Sequence, residues 1–158
     1  MTILLGRRVR RWWRGKGHGV HSPFAFRFIR CVLRENGAYY ASSELARMDN
    51  SEWLGVLFRL VCEFEPDEVI STGLTAGERC AVEMADSRTV IVSSGERDRI
   101  VMKCRGLSVT VVRDVLSSRS RWEDMKSGMR CGMTFTNGKV GIVVPRADLP
   151  RQDFEINF

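Results

Sequence analysis

The hydrophobic positions of the chain change their spacing near residue 66. Before this point apolar residues recur every three to four positions, which is typical of amphipathic helices. After it short apolar runs alternate with helical segments, which is typical of strands packed against helices. The pattern predicts a basic arm and helical segment over residues 1–65, followed by an α/β domain over residues 66–158, the two forming one compact unit.

Local signals predict where the helices begin and end. Ser22 is a good N-cap and Pro23 suits the first helical position, so a helix begins there and ends at Gly37. A second, strongly apolar helix is stopped by Pro66. The first helix carries a polar stripe of the kind that usually faces solvent, formed by Arg27, Arg30 and Arg34.

The second half of the chain predicts strands and helices in alternation. The expected order is strand 68–72, helix 77–85, strand 89–93, helix 96–104 and strand 107–112. Such alternation indicates right-handed βαβ units on a parallel sheet. A short helical turn is expected over 122–125. Apolar runs then flank Asn137-Gly138, which predicts a hairpin, and alternation over 154–158 predicts a last strand, so the chain is expected to end on antiparallel strands.

The stretch 69–77 is the first candidate for a binding site. An apolar strand leads into Gly73 and Gly77, and a helical pattern opens directly behind them. A strand, a glycine-containing turn and a helix N-terminus place backbone N–H groups around a ligand, and nucleotide-type cofactors are commonly held in this way.

Positive charge is concentrated at the N-terminus. The net charge is +6; six Lys or Arg residues lie within residues 7–16, three more follow at Arg27, Arg30 and Arg34, and the first acidic residue is Glu35. Interleaved Arg and Trp can bind single-stranded nucleic acid or an anionic membrane surface. The alternative is a basic extension whose Trp side chains pack on the body of the protein. The candidate anion-binding residues are Arg7, Arg8, Arg10, Arg11, Trp12, Trp13, Arg14 and Lys16.

Cysteine usage and hydropathy indicate the compartment. The five cysteines are widely spaced and form no CxxC, so buried, reduced thiols are expected. His18 and His21 have no further ligand at metal-binding spacing, and no metal site is predicted. No stretch approaches the ~20 apolar residues of a membrane span, and no signal peptide is evident. A cytoplasmic protein without a transmembrane segment is expected.

The order of elements resembles class I S-adenosylmethionine-dependent methyltransferases. The stretch Lys-Gly-His-Gly-Val-His-Ser-Pro-Phe at 16–24, followed by Tyr39-Tyr40, looks like the opening of a bacterial methyltransferase-like family, and residues 140–144 and 154–158 are similar to its terminal strands. The resemblance implies a Rossmann-like, three-layer α/β sandwich, shortened here, with a partly parallel sheet and antiparallel C-terminal strands.

The resemblance also implies where S-adenosylmethionine would bind. The family's acidic residue before the glycine turn is replaced by Ser71, and the ribose-binding acid after the second strand is replaced by Ser93-Ser94, with Glu96 a little beyond. Asp114 stands where an acid often lies near the adenine. The implied cofactor-binding residues are Ser71, Gly73, Gly77, Ser94, Glu96 and Asp114.

The departures from the family favour a protein without methyl transfer. Two of the three acids are replaced, and only about twenty residues separate Asp114 from Met133, too few for two further βα units. We expect a pseudoenzyme that acts as a binding or assembly module, with no catalytic residue and no bound cofactor. The alternatives are an active methyltransferase with atypical cofactor ligands and a nucleic-acid-binding protein that uses the arm. The exposed edge of a shortened sheet also favours a homodimer.

Overall fold

The computed structural model describes residues 20–35, 40–49 and 52–158. The basic arm, residues 1–19, lies outside the described residues. The elements are α1 (Pro23–Phe28) with a π-helical turn (Ile29–Leu33), α2 (Tyr40–Met48), α3 (Glu52–Phe64), β1 (Glu68–Ile70), α4 (Ala76–Ala85), β2 (Val90–Val92), β3 (Arg99–Cys104), β4 (Leu107–Val112), α5 (Arg119–Gly128), β5 (Met133–Thr136), β6 (Gly141–Val144) and β7 (Gln152–Glu155). The protein is α/β, and its strands pair in both parallel and antiparallel fashion.

The chain divides into two compact units. The first unit contains α1 with its π-helical turn and residues Val111–Phe158, and the second contains Glu35–Thr110. Strand β4 contributes its last two residues to the first unit and the others to the second. The described part of the chain contains no helix that is both long and apolar enough to cross a membrane.

The second unit is built on the predicted strand, turn and helix. Its strands have the order β2-β1-β3-β4. Strand β1 runs parallel to β2, with Val69 opposite Ile91, and antiparallel to β3, with Val69 opposite Met102. Helix α4 connects the two parallel strands, so the βαβ prediction is confirmed for β1, α4 and β2.

The predicted helix over 96–104 is wrong. Residues Arg99–Cys104 form strand β3, in which Ile100 and Met102 are fully buried and their neighbours are not. This alternation has the period of a strand. Gly106 has a φ of 73°, which lets the chain reverse at once into β4. The short segment therefore gains its hydrogen bonds by pairing with β1 and β4, and the three βα-type units reduce to one.

The first unit confirms the hairpin and corrects the final strand. Strands β5 and β6 are antiparallel on either side of Asn137-Gly138, and Gly138 has the positive φ, 91°, that such a turn requires. Strand β7, however, runs parallel to β5. A connection of seven residues with Pro145 and Pro150 carries the chain from β6 past β5 to its other edge, so β7 returns in the direction of β5.

Aromatic side chains form the centre of the first unit. The ring of Phe135 lies 4.7 Å from that of Phe28 and 5.2 Å from that of Phe154, measured between centroids. Trp122 on α5 is buried with Val112, Val115 and Val143. Helix α5 extends over ten residues and is longer than the short turn predicted around Trp122.

The five cysteines are free thiols, but the expectation that they are buried is wrong. Cys31 and Cys62 are exposed, and the other three are half-buried. On α3 the buried side is formed by Leu57, Leu60 and Val61, and Cys62 lies one position beyond it. Apolar neighbours along the chain therefore did not place these thiols in the core, because side-chain direction changes by about 100° with each helical residue.

Candidate functional site

The predicted turn lies at the carboxyl ends of the two parallel strands. Ser71 follows β1 directly and is 3% exposed. Its N–H donates to the carbonyl oxygen of Val92 at 3.0 Å, which places it beside the end of β2. Its hydroxyl accepts a long hydrogen bond, 3.5 Å, from the N–H of Gly73. The serine that replaces the expected acid thus closes the turn on itself.

The N-terminus of α4 is closed by a capping box. The Thr75 hydroxyl accepts from the Glu78 N–H at 3.1 Å, and the Glu78 carboxylate accepts from the Thr75 N–H at 2.8 Å. This exchange satisfies donors that a helix N-terminus otherwise leaves for a ligand. The negative carboxylate also lies where the helix dipole favours an anion.

Glu78 is the residue of this candidate site that the sequence analysis missed. It is only 3% exposed, and its second carboxylate oxygen accepts from the indole Nε1 of Trp53 on α3 at 2.9 Å. The spacing Thr75-x-x-Glu78 is a readable capping signal. The contact with Trp53, 25 residues away, is not readable from the sequence. A buried carboxylate therefore joins α3, α4 and the turn.

Gly77 has a packing role in place of the predicted turn role. It lies inside α4, and a Cβ at this position would approach Leu54 Cδ1 to 2.9 Å. Leu54 is buried on α3. The absence of a side chain lets the two helices approach closely, and the glycine is explained without any ligand.

The end of β2 holds two of the implied cofactor residues. The Ser94 N–H donates to Val92 O at 3.0 Å, and Gly95, with a φ of 88°, then turns the chain sharply. Glu96 follows, and its carboxylate pairs with Arg99 Nε at 3.5 Å. The structure thus brings Ser71, Gly73 and Ser94 to one edge of the sheet, while Glu96 interacts along its own loop.

Asp114 belongs to the first unit and organises its own loop. Its carboxylate accepts from the N–H of Leu116 at 3.1 Å, from the N–H of Ser117 at 3.0 Å and from the Ser117 hydroxyl at 2.6 Å. The hydroxyl of Ser117 is the main reason that the pKa of Asp114 lies below its ordinary value. Through these contacts Asp114 fixes the conformation of the loop that leads into α5.

A polar cleft of about 480 Å³ lies at the other end of β1. Asp86 and Arg88 form a bidentate ion pair on its wall, at 3.0 and 3.1 Å, and the bonds from Arg88 lower the pKa of Asp86. Burial, with a contribution from Asp67, raises the pKa of the Cys104 thiol, which disfavours the reactive thiolate. The lining comprises Glu63, Phe64, Glu65, Pro66, Asp67, Asp86, Arg88, Cys104, Arg105 and Leu107.

Among the described residues, no group of three or more His, Cys, Asp and Glu side chains is arranged to hold a metal ion. The candidate arm residues, Arg7 to Lys16, lie outside the described part of the chain. Comparison with family models, curated proteins and solved structures finds no match for this chain. The fold and the site define its class as an α/β protein whose strand–turn–helix element is closed by its own side chains.

Proposed function

We propose that the chain is a methyltransferase-like protein of the Rossmann-like type that transfers no methyl group and acts as a binding or assembly module. The observation that carries the proposal is the internal bonding of the turn. The N–H groups of Gly73, Thr75 and Glu78 donate to Ser71, Glu78 and Thr75, respectively. An anionic ligand group at the N-terminus of α4 would have to displace the Glu78 carboxylate.

The expected loss of cofactor affinity from the two replaced acids supports the same proposal. A hydrogen bond to a charged group contributes about 1.5–3 kcal/mol. The loss of two such interactions, at Ser71 and Ser94, corresponds to roughly two to four orders of magnitude in the affinity for S-adenosylmethionine. Among the remaining implied ligands, Glu96 pairs with Arg99 and Asp114 bonds within its loop.

Isothermal titration with S-adenosylmethionine and with S-adenosylhomocysteine tests the proposal. We expect no heat from the wild type and none from Ser94→Asp, which restores an acid at an exposed position. Micromolar binding by the wild type would instead support an active methyltransferase that uses Gly73, Gly77, Glu96 and Asp114. Binding gained only by Ser94→Asp would show that the N-terminus of α4 is accessible to the ligand and that the Glu78 carboxylate does not block it.

A second candidate function is nucleic-acid binding through the arm. The observation that favours it is the charge distribution, with six Lys or Arg residues and two Trp residues before residue 17 and no acid before Glu35. Titration with single-stranded RNA should change the fluorescence of Trp12 and Trp13 strongly and in a salt-dependent manner. A flat titration would exclude this function.

A further inference from the structure

Helix α1 and its π-helical turn have two different faces. The inner face is apolar and buried, and it is formed by Ala25, Phe28, Ile29, Val32 and Leu33. The outer face presents Phe26, which is 46% exposed, together with the exposed side chains of Arg27 and Arg30. Phe26 is not among the buried residues of the helix, so part of its ring is open to a ligand on the outer face.

The charged residues of α1 and its π-helical turn are all positive. Residues 20–34 contain three arginines and no acid, and the chain reaches α1 from the still more basic segment 7–16. Arg27 lies in the last turn of the α-helical part, where a cation is favoured by the helix dipole. The helix dipole gives a reason for the charge of Arg27 but not for the exposed ring of Phe26, which precedes it. The combination is an exposed aromatic ring and two exposed arginines within about one helical turn.

We propose that Phe26, Arg27 and Arg30 form a binding surface for single-stranded nucleic acid, in which Phe26 stacks on a base and the arginines contact phosphates. Every base has a face on which an aromatic ring can stack, and positive charge alongside the ring follows the backbone. The inference deepens the nucleic-acid function proposed for the arm and rests on it. It adds a base-stacking residue and two phosphate contacts on a folded helix.

The same helix is poorly suited to a membrane surface. An interfacial helix binds by burying its apolar face among lipids. Here that face is already buried within the first unit, with Phe28 and Ile29 fully inaccessible. Among the large apolar side chains described on this helix, only Phe26 is exposed, which is little apolar surface for a bilayer, whereas a single strand can stack on one ring beside positive charges. The geometry therefore favours nucleic acid.

Fluorescence anisotropy with labelled 12-residue oligo(U) and oligo(dT) and with a duplex of equal length tests the inference on the full chain. Phe26→Leu should weaken single-strand binding about tenfold, because leucine keeps an apolar side chain but cannot stack, and Phe26→Trp should preserve it. The plot of log K against log salt falls with a slope of about −0.7 per phosphate contact, so the double variant Arg27→Gln/Arg30→Gln should make this slope shallower by roughly 1.4. The matched pair Arg119→Gln/Arg121→Gln, exposed on α5, should leave the slope unchanged.

Three results would overturn the inference, and they separate it from the function of the arm. If Arg10→Gln/Arg11→Gln weakens binding while Phe26→Leu and Arg27→Gln/Arg30→Gln bind as the wild type, the arm binds and α1 does not. If the wild type binds no strand, both proposals fail. If Phe26 is required only for binding to phosphatidylserine vesicles, the partner is a membrane. The side chains substituted on α1 and α5 are exposed, so little change in stability is expected there, and thermal unfolding by circular dichroism checks that each variant is folded.

Discussion

Glu78 provides the sharpest test of the candidate site. The substitution Glu78→Ala removes the acceptor of the Thr75 N–H, at 2.8 Å, and of Trp53 Nε1, at 2.9 Å. Loss of the helix cap costs about 1 kcal/mol. Loss of a hydrogen bond to a charged group at a buried position costs a further 1.5–3 kcal/mol or so. We therefore expect the free energy of unfolding to fall by about 2.5–4 kcal/mol, a large part of the total stability of a small protein.

Urea unfolding followed by circular dichroism measures this change. The matched control is Glu83→Ala, which removes an exposed carboxylate from the same helix and should change stability by less than about 0.5 kcal/mol. Trp53→Phe and the double variant Trp53→Phe/Glu78→Ala complete a double-mutant cycle. Because both single changes break the same bond, the cycle should show a coupling of about 1–2 kcal/mol. Strictly additive effects, or a Glu78→Ala variant as stable as the control, would refute the reasoning.

Three further predictions follow from the rest of the structure. A Cβ at Gly141 would lie 2.5–2.8 Å from three ring atoms of Trp122, so Gly141→Ala should lower the stability measured by thermal unfolding by about 1–3 kcal/mol. Gly128→Ala is the control and should be tolerated, because a Cβ at Gly128 would meet open space. Two variants of equal stability would contradict the packing of Trp122 on Gly141. The pKa of Asp114 is lowered in the folded state, so its ionised form stabilises the protein above the unfolded pKa, near 4, and this stabilisation is lost as the pH falls through the folded pKa. Asp114→Asn should therefore flatten this part of the profile of melting temperature against pH. A profile that the substitution leaves unchanged would contradict a stabilising role of the Asp114 carboxylate. Strand β2 is an edge strand, and Val90 on it is 56% exposed. Because an exposed edge strand can pair with a second copy, light scattering should detect a homodimer, and Val90→Lys should dissociate it. A monomeric mass at high concentration would exclude this dimer.

The sequence by itself determined the elements whose signals are local. The N-cap Ser22 with Pro23, the Asn137-Gly138 turn and the strand–turn–helix over 68–85 are confirmed because each depends on a few adjacent residues. A cap or a tight turn is specified by the backbone preferences of residues within one turn of each other. The position of the turn could be predicted for the same reason, since it directly follows the end of a strand.

Tertiary structure alone decided how those elements are used. Residues 99–104 form a strand because β1 and β4 offer pairing partners, and β7 runs parallel to β5 because of the path of its connection. Likewise, Gly77 packs on Leu54 and Glu78 bonds to Trp53, both on a helix more than twenty residues earlier. Contacts between residues so far apart in the chain cannot be predicted from local residue spacing. The turn itself could therefore be predicted from the sequence, whereas the hydrogen bond from Trp53 to Glu78 is seen only in the folded protein.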